Sequence, residues 1–192
     1  MAEYDISRLK VLVLEKHAHM RRIMCDILRQ LGVVMVRDAA DPSEAFGAFQ
    51  EFPADIVLSD WSPGLDGITF LNLIRRHQKS HNVYVPVVMV TAYSDLHHIC
   101  AARDAGMTEF LAKPISARLI YARIKSIIDN PRSFIRNMDY FGPDRRRRRL
   151  DFGGQDRRSY VKGSSERRTR QLPVPHGDRR AKHYAERAAA RM

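Results

Sequence analysis

The chain has 192 residues, with 33 Lys+Arg against 22 Asp+Glu and a net charge of +11, which is length enough for one ordinary domain and an appendage. Residues 1–130 carry 15 basic and 15 acidic side chains, and residues 131–192 carry 18 against 7, so a neutral globule is expected with a basic tail. Two cysteines, Cys25 and Cys100, are too few for a disulfide framework; the longest nearly apolar run, 83–90, is far short of the ~18 residues of a membrane span, and a cytoplasmic protein is expected.

In chain order, KVLVL at 10–14 reads as a buried strand. Met20, Ile23, Met24, Ile27, Leu28 and Leu31 then recur at helical spacing, ending at Gly32. VVMVR at 33–37 is a second strand, and Asp41-Pro42-Ser43-Glu44 looks like an N-cap, a first-turn proline and an acid reaching back, opening a helix to about residue 52. Strands are predicted at 54–59, 84–90 and 108–112, and helices at 67–77, 95–105 and 116–129. Three of the strands are nearly continuously apolar, as strands covered on both faces are. Five such βα units make a doubly wound α/β domain with a parallel sheet.

In that architecture ligands gather beyond the carboxyl ends of the strands. The residues there are Glu15 and Lys16, Asp60, Thr91 and Ala92, and Lys113 and Pro114. Acids, a hydroxyl and a lysine meeting at one crevice describe a small phosphate site, with Asp60 as nucleophile and Thr91 and Lys113 each on a phosphoryl oxygen.

The segments VLVLEKHAHMRRIM, DIVLSDWSPGLDGITFLNLIR, VPVVMVTAYSD and AGMTEFLAKPIS together resemble the receiver domain of bacterial two-component response regulators, over about residues 8–130. The resemblance implies a flavodoxin-like sheet of strand order 2-1-3-4-5, as in a chemotaxis regulator. It implies phosphorylation of Asp60 by a histidine kinase or a histidine phosphotransfer protein, with Mg²⁺ present. It makes Thr91 the switch hydroxyl, Lys113 the motif lysine and Phe110 the switch aromatic, and sets Pro114 after that lysine, often with a cis bond. Glu15, Asp60 and the backbone carbonyl of Ser62 would be the metal ligands.

Two features depart from the family pattern. Lys16 stands where a second acid is usual, and the loop DWSPGLDG is one residue short. If the Lys16 ammonium swings out along its flexible stem, the site is a phosphoacceptor with weakened Mg²⁺ binding. If it turns in, it pairs with Asp60 and Glu15, and the protein is a pseudo-receiver serving as a constitutive adaptor.

The other polar candidates have plainer readings. His17, His19, His97 and His98 are read as loop and cap histidines rather than metal ligands, Trp61 as a partly buried edge aromatic, and Asp66-Gly67 as a turn opening a helix. Residues 131–192 form the second unit, a basic, largely disordered Arg-rich tail. It repeats an acid-Arg-Arg unit at 144–146, 156–158, 166–168 and 178–180, and is too polar to build a core. An acid before each Arg-Arg suits a protein partner; the run Arg145–Arg149 beside Tyr140 and Phe141 leaves nucleic acid as an alternative. Phe134, Ile135, Met138, Tyr140 and Phe141 are expected to dock the start of the tail, residues 178–191 to form a last helix, and a homodimer is possible. No catalytic turnover is expected beyond the domain's own phosphoryl transfer.

Overall fold

Val11 and Val13 belong to one apolar cluster, Leu12 and Leu14 to another, and all four are buried. A strand so built needs cover on both faces. In a computed structural model that describes residues 4–62, 65–93 and 95–146, β1 (Lys10–Leu14) has that cover at the centre of a five-stranded sheet. It is followed by α1 (Ala18–Gln30), β2 (Met35–Ala39), α2 (Pro42–Glu51), β3 (Ile56–Asp60), α3 (Gly67–Arg76), β4 (Val87–Thr91), α4 (Leu96–Asp104), β5 (Glu109–Ala112) and α5 (Ala117–Asp129).

The sheet order is β2-β1-β3-β4-β5, with every pairing parallel. On one face Phe49, Phe70, Leu71 and Met89 pack with Leu12 and Leu14; on the other Met24, Leu28, Val88, Ile120 and Ile124 pack with Val11 and Val13. The expected doubly wound fold and strand order are those observed.

Boundaries shift where local chemistry competes with the apolar run. The second strand begins two residues later than the pattern suggests, because Gly32, at φ +91°, and Val33, whose N–H bonds the Leu28 carbonyl at 3.0 Å, close the end of α1. The fourth starts after Pro86, which has no N–H to give the ladder. The α2 cap forms as its sequence suggests: the Asp41 carboxylate accepts from the Ser43 and Glu44 N–H groups, and Glu44 accepts from Ala40.

Ordered chain continues past residue 130. β6 (Phe134–Arg136) and β7 (Phe141–Pro143) form an antiparallel hairpin lying at the end of the sheet where β4 and β5 begin. Tyr140 and Phe141 are buried as expected, whereas Met138 is 93% exposed at the hairpin tip and docks nothing. Beneath the hairpin Arg75 is 1% exposed and donates to the carbonyls of Gly106, Val83 and Val85. Burial draws its guanidinium down to about 9, opposed by Tyr140. The hairpin can lie so low because two glycines meet: a Cβ on Gly142 would stand 2.7 Å from the Gly106 Cα. The first acid-Arg-Arg unit follows, and Arg145 reaches Asp104 at 3.3 Å; the other three units and the expected helix at 178–191 lie outside the described residues.

Candidate functional site

Four of the five strands, β1, β3, β4 and β5, each deliver one polar residue to the same end of the sheet, and burial separates these from ordinary loop polars. Glu15, Asp60 and Thr91 are all 0% exposed, at the carboxyl ends of β1, β3 and β4. Lys113 follows β5 and reaches inward, placing Nζ 2.7 Å from Glu15 Oε2 and 2.7 Å from Asp60 Oδ1. Its bond to Pro114 is cis. One ammonium thus spans two buried carboxylates, which leaves the crevice one negative charge.

Burial pushes the Glu15 carboxyl up, but the bonds from Lys113 and His17 outweigh it and bring the group below its ordinary value. For Lys113 burial pulls down, and its close contacts with the Asp60 and Glu15 carboxylates outweigh it and raise the ammonium. Both shifts favour the charged forms. Asp60 Oδ2 accepts from the Ser62 hydroxyl at 2.6 Å. Asp60 Oδ1, buried, accepts no hydrogen bond of good geometry among the described residues, although Lys113 stands beside it.

The Thr91 hydroxyl donates to the Trp61 carbonyl and accepts from the Tyr93 N–H. Trp61 is half-buried, its ring 5.0 Å from that of His98, which itself pairs with Asp95. The Asp66 carboxylate caps α3, accepting from Ile68 and Thr69, as a helix start does. Gly67 follows because nothing larger fits: a Cβ there would lie 2.3 Å from the Asp60 carbonyl oxygen. Phe110 is partly buried against the cluster that holds Met89 and Ala102.

The loop after β1 carries contacts that the sequence did not announce. Glu15 Oε1 accepts from the His17 N–H at 2.9 Å and lies 3.1 Å from His17 Nδ1. Arg21, one turn into α1, donates to the Glu15 carbonyl at 2.8 Å and the Lys16 carbonyl at 3.3 Å, and pairs with Asp38 on β2. Its only sequence signal was a long cation early in a helix that follows the crevice. Lys16 itself is exposed. The Ser62 carbonyl, expected toward the metal, accepts from the Leu65 N–H at 2.9 Å.

The family described as "Response regulator receiver domain" matches residues 11–125. The chain belongs to this family. A receiver domain of the two-component, CheY-like kind is therefore the body of this protein. Its relatives include the chemotaxis protein CheY of Pseudomonas aeruginosa, 30% identical over 122 residues that make up 63% of this chain and 97% of that protein. Chemotaxis protein CheY-3 of Vibrio cholerae is 30% identical over 124 residues, 64% of this chain and 94% of that protein. Among solved structures, Vibrio cholerae CheY4 covers 62% of this chain and 98% of its own at TM-score 0.56 and 23% identity, a likeness of fold. A receiver domain from Clostridium thermocellum matches at TM-score 0.55 and 25% identity, covering 63% of this chain and 94% of its own. No helix among the described residues is long and apolar enough to cross a membrane.

Proposed function

We propose that Asp60 accepts a phosphoryl group from the phosphohistidine of a histidine kinase or phosphotransfer protein. The observation that carries this is the Lys113 ammonium, 2.7 Å from Asp60 Oδ1 and 2.7 Å from Glu15 Oε2. An Asp60 oxygen attacks phosphorus, forming the acyl phosphate; the donor's N–P bond breaks, and its electron pair stays on the imidazole, which takes up a proton. Such a transfer depends on positioning and on stabilising charge. Lys113 is placed to follow the charge from carboxylate to phosphoryl oxygen, and Thr91 to exchange the Trp61 carbonyl for another.

Mg²⁺ is the cofactor in this reading, and it would neutralise charge on the phosphoryl oxygens. The donor set suits a hard cation: two buried carboxylates outnumber one ammonium, and Asp60 Oδ1 has a lone pair that no hydrogen bond uses. Glu15, Asp60 and the Ser62 carbonyl would hold it. With Lys16 in place of a second acid, affinity is lowered. The pseudo-receiver alternative has less support, since Asp60 meets Lys113 and Lys16 is exposed.

The basic tail, in this reading, carries the output to a protein partner, because acids precede its Arg-Arg units; nucleic acid is the alternative. The test is intact mass after treatment with a small-molecule phosphodonor and Mg²⁺. One added phosphoryl group on the wild type and none on Asp60→Asn is expected; no addition to the wild type, with addition to Lys16→Asp, would favour the pseudo-receiver.

A further inference from the structure

Trp61 follows Asp60 in the chain, and its carbonyl and the Tyr93 N–H both bond the Thr91 hydroxyl, which donates to the first and accepts from the second at 3.0 Å. The rings of the same two residues meet the His98 ring on α4. His98 stacks on Tyr93, with centroids 4.9 Å apart and planes 16° from parallel, and its centroid lies 5.0 Å from that of Trp61. These contacts close a circuit, from the Thr91 hydroxyl through Trp61 to His98 and back through Tyr93. The imidazole is itself fastened: its Nδ1 pairs with Asp95, the N-cap of α4, whose other carboxylate oxygen accepts from the His98 N–H at 3.1 Å. His98 thus grips both residues between which the hydroxyl rests.

We propose that His98 is a positioning residue that holds the Thr91 hydroxyl on the Trp61 carbonyl and so opposes its turn to a phosphoryl oxygen on Asp60. This rests on the phosphoacceptor reading above. A hydroxyl has one hydrogen to give, so Thr91 cannot serve a phosphoryl oxygen until it lets go of the Trp61 carbonyl. Stacked and tilted ring pairs attract beyond the area they bury, and here both pairs favour the arrangement in which Trp61 and Tyr93 flank the hydroxyl. Contacts made in the resting state and loosened in the phosphoryl-bound one subtract from affinity for the phosphoryl group. By linkage, a phosphoryl group on Asp60 loosens the His98 contacts by the same factor.

Beryllium fluoride with excess Mg²⁺ is the probe, a phosphoryl mimic whose bound fluorine resonances report occupancy without recourse to Trp61. Titrations of the full chain compare wild type, His98→Ala, Thr91→Val and the double variant. His98→Ala is expected to lower the half-saturating beryllium fluoride about fivefold, within the range of two ring pairs, and the same substitution in the Thr91→Val background to change it by less than about 1.5-fold. His98→Phe, which keeps a ring and loses the Asp95 pairing, is expected to stay within about twofold of wild type. No gain in His98→Ala, an equal gain without the Thr91 hydroxyl, or a gain as large in His98→Phe overturns the proposal. Amide exchange at Tyr93, measured without the probe, is expected to quicken in His98→Ala, and unchanged exchange also overturns it. If neither wild type nor His98→Ala binds the probe, the phosphoacceptor reading fails; the exchange measurement alone then decides whether His98 holds the residues around the hydroxyl.

Discussion

Lys113 holds its ammonium 2.7 Å from Asp60 while bonding Glu15 with the same nitrogen, so two buried acids share one cation. Removing it leaves both carboxylates in the crevice without that cation. Lys113→Met is expected to cost about 3 kcal/mol at pH 7, the scale for breaking a buried ion pair from one side. The cost should shrink toward pH 4, where the uncompensated carboxylates take up protons. Urea unfolding at the two pH values checks both the size and the trend.

The wild type has its own pH window from the same contacts. Glu15 lies below its ordinary 4.5, so its contribution is full above that value and is lost as pH falls through the depressed one. Lys113 lies above its ordinary 10.5, so its contribution is full below that value and is lost as pH rises through the raised one. Stability from this pair is expected to be flat between these limits. Glu15→Gln should remove the acid limb, and thermal melts across the pH range would show it.

Gly67 gives a prediction whose sign is the informative part. In an open helix Gly→Ala stabilises by up to about 1 kcal/mol. Here the new methyl would meet the Asp60 carbonyl oxygen at 2.3 Å. Gly67→Ala is expected to destabilise by about 2 kcal/mol, as overpacking does, and to slow phosphoryl uptake by moving Asp60. Gly47, whose added Cβ meets nothing within 4 Å, supplies the control: Gly47→Ala should stabilise.

The hairpin after α5 predicts that the receiver is longer than its five βα units. Phe141 is 8% exposed, within reach of the Tyr84 and Phe134 rings. Phe141→Ala is expected to cost about 3 kcal/mol, the cost of truncating a core aromatic, and Met138→Ala almost nothing. A loosely attached tail would give equal, small values in chemical denaturation.

How far the sequence could be read depends on the range of the forces involved. The five strands and helices were legible because apolar period and cap chemistry are local: β1 falls on 10–14, and Asp41 caps α2 as its tetrapeptide suggests. Asp60, Thr91, Lys113 and Glu15 were legible as a set because a parallel sheet brings the carboxyl ends of its strands to one edge. The ties of the loop after β1 were not, because Arg21 and Asp38 meet only once α1 packs beside β2. Nor was the hairpin, whose strands have three residues each and stay folded through long-range contacts with Arg75 and Gly106. The anchors Phe134, Tyr140 and Phe141 were legible, but a basic, polar composition gave no sign that they close a hairpin.

Lys16→Asp tests the departure from the family pattern most directly. Replacing a cation by an anion beside the crevice raises its attraction for Mg²⁺, and the open question is whether the new carboxylate acts through space or as a ligand. Residue 16 is exposed, so the influence of a charge there is screened by salt. The expected gain in Mg²⁺ affinity is therefore about tenfold near 0.01 M salt, where the Debye length is about 30 Å, and less than about twofold at 1 M, where it is about 3 Å. A ligand in contact with the metal would keep its gain at high salt. Trp61 fluorescence titrations at the two ionic strengths separate the outcomes, and a gain that survives 1 M salt would mean that the new carboxylate reaches the metal.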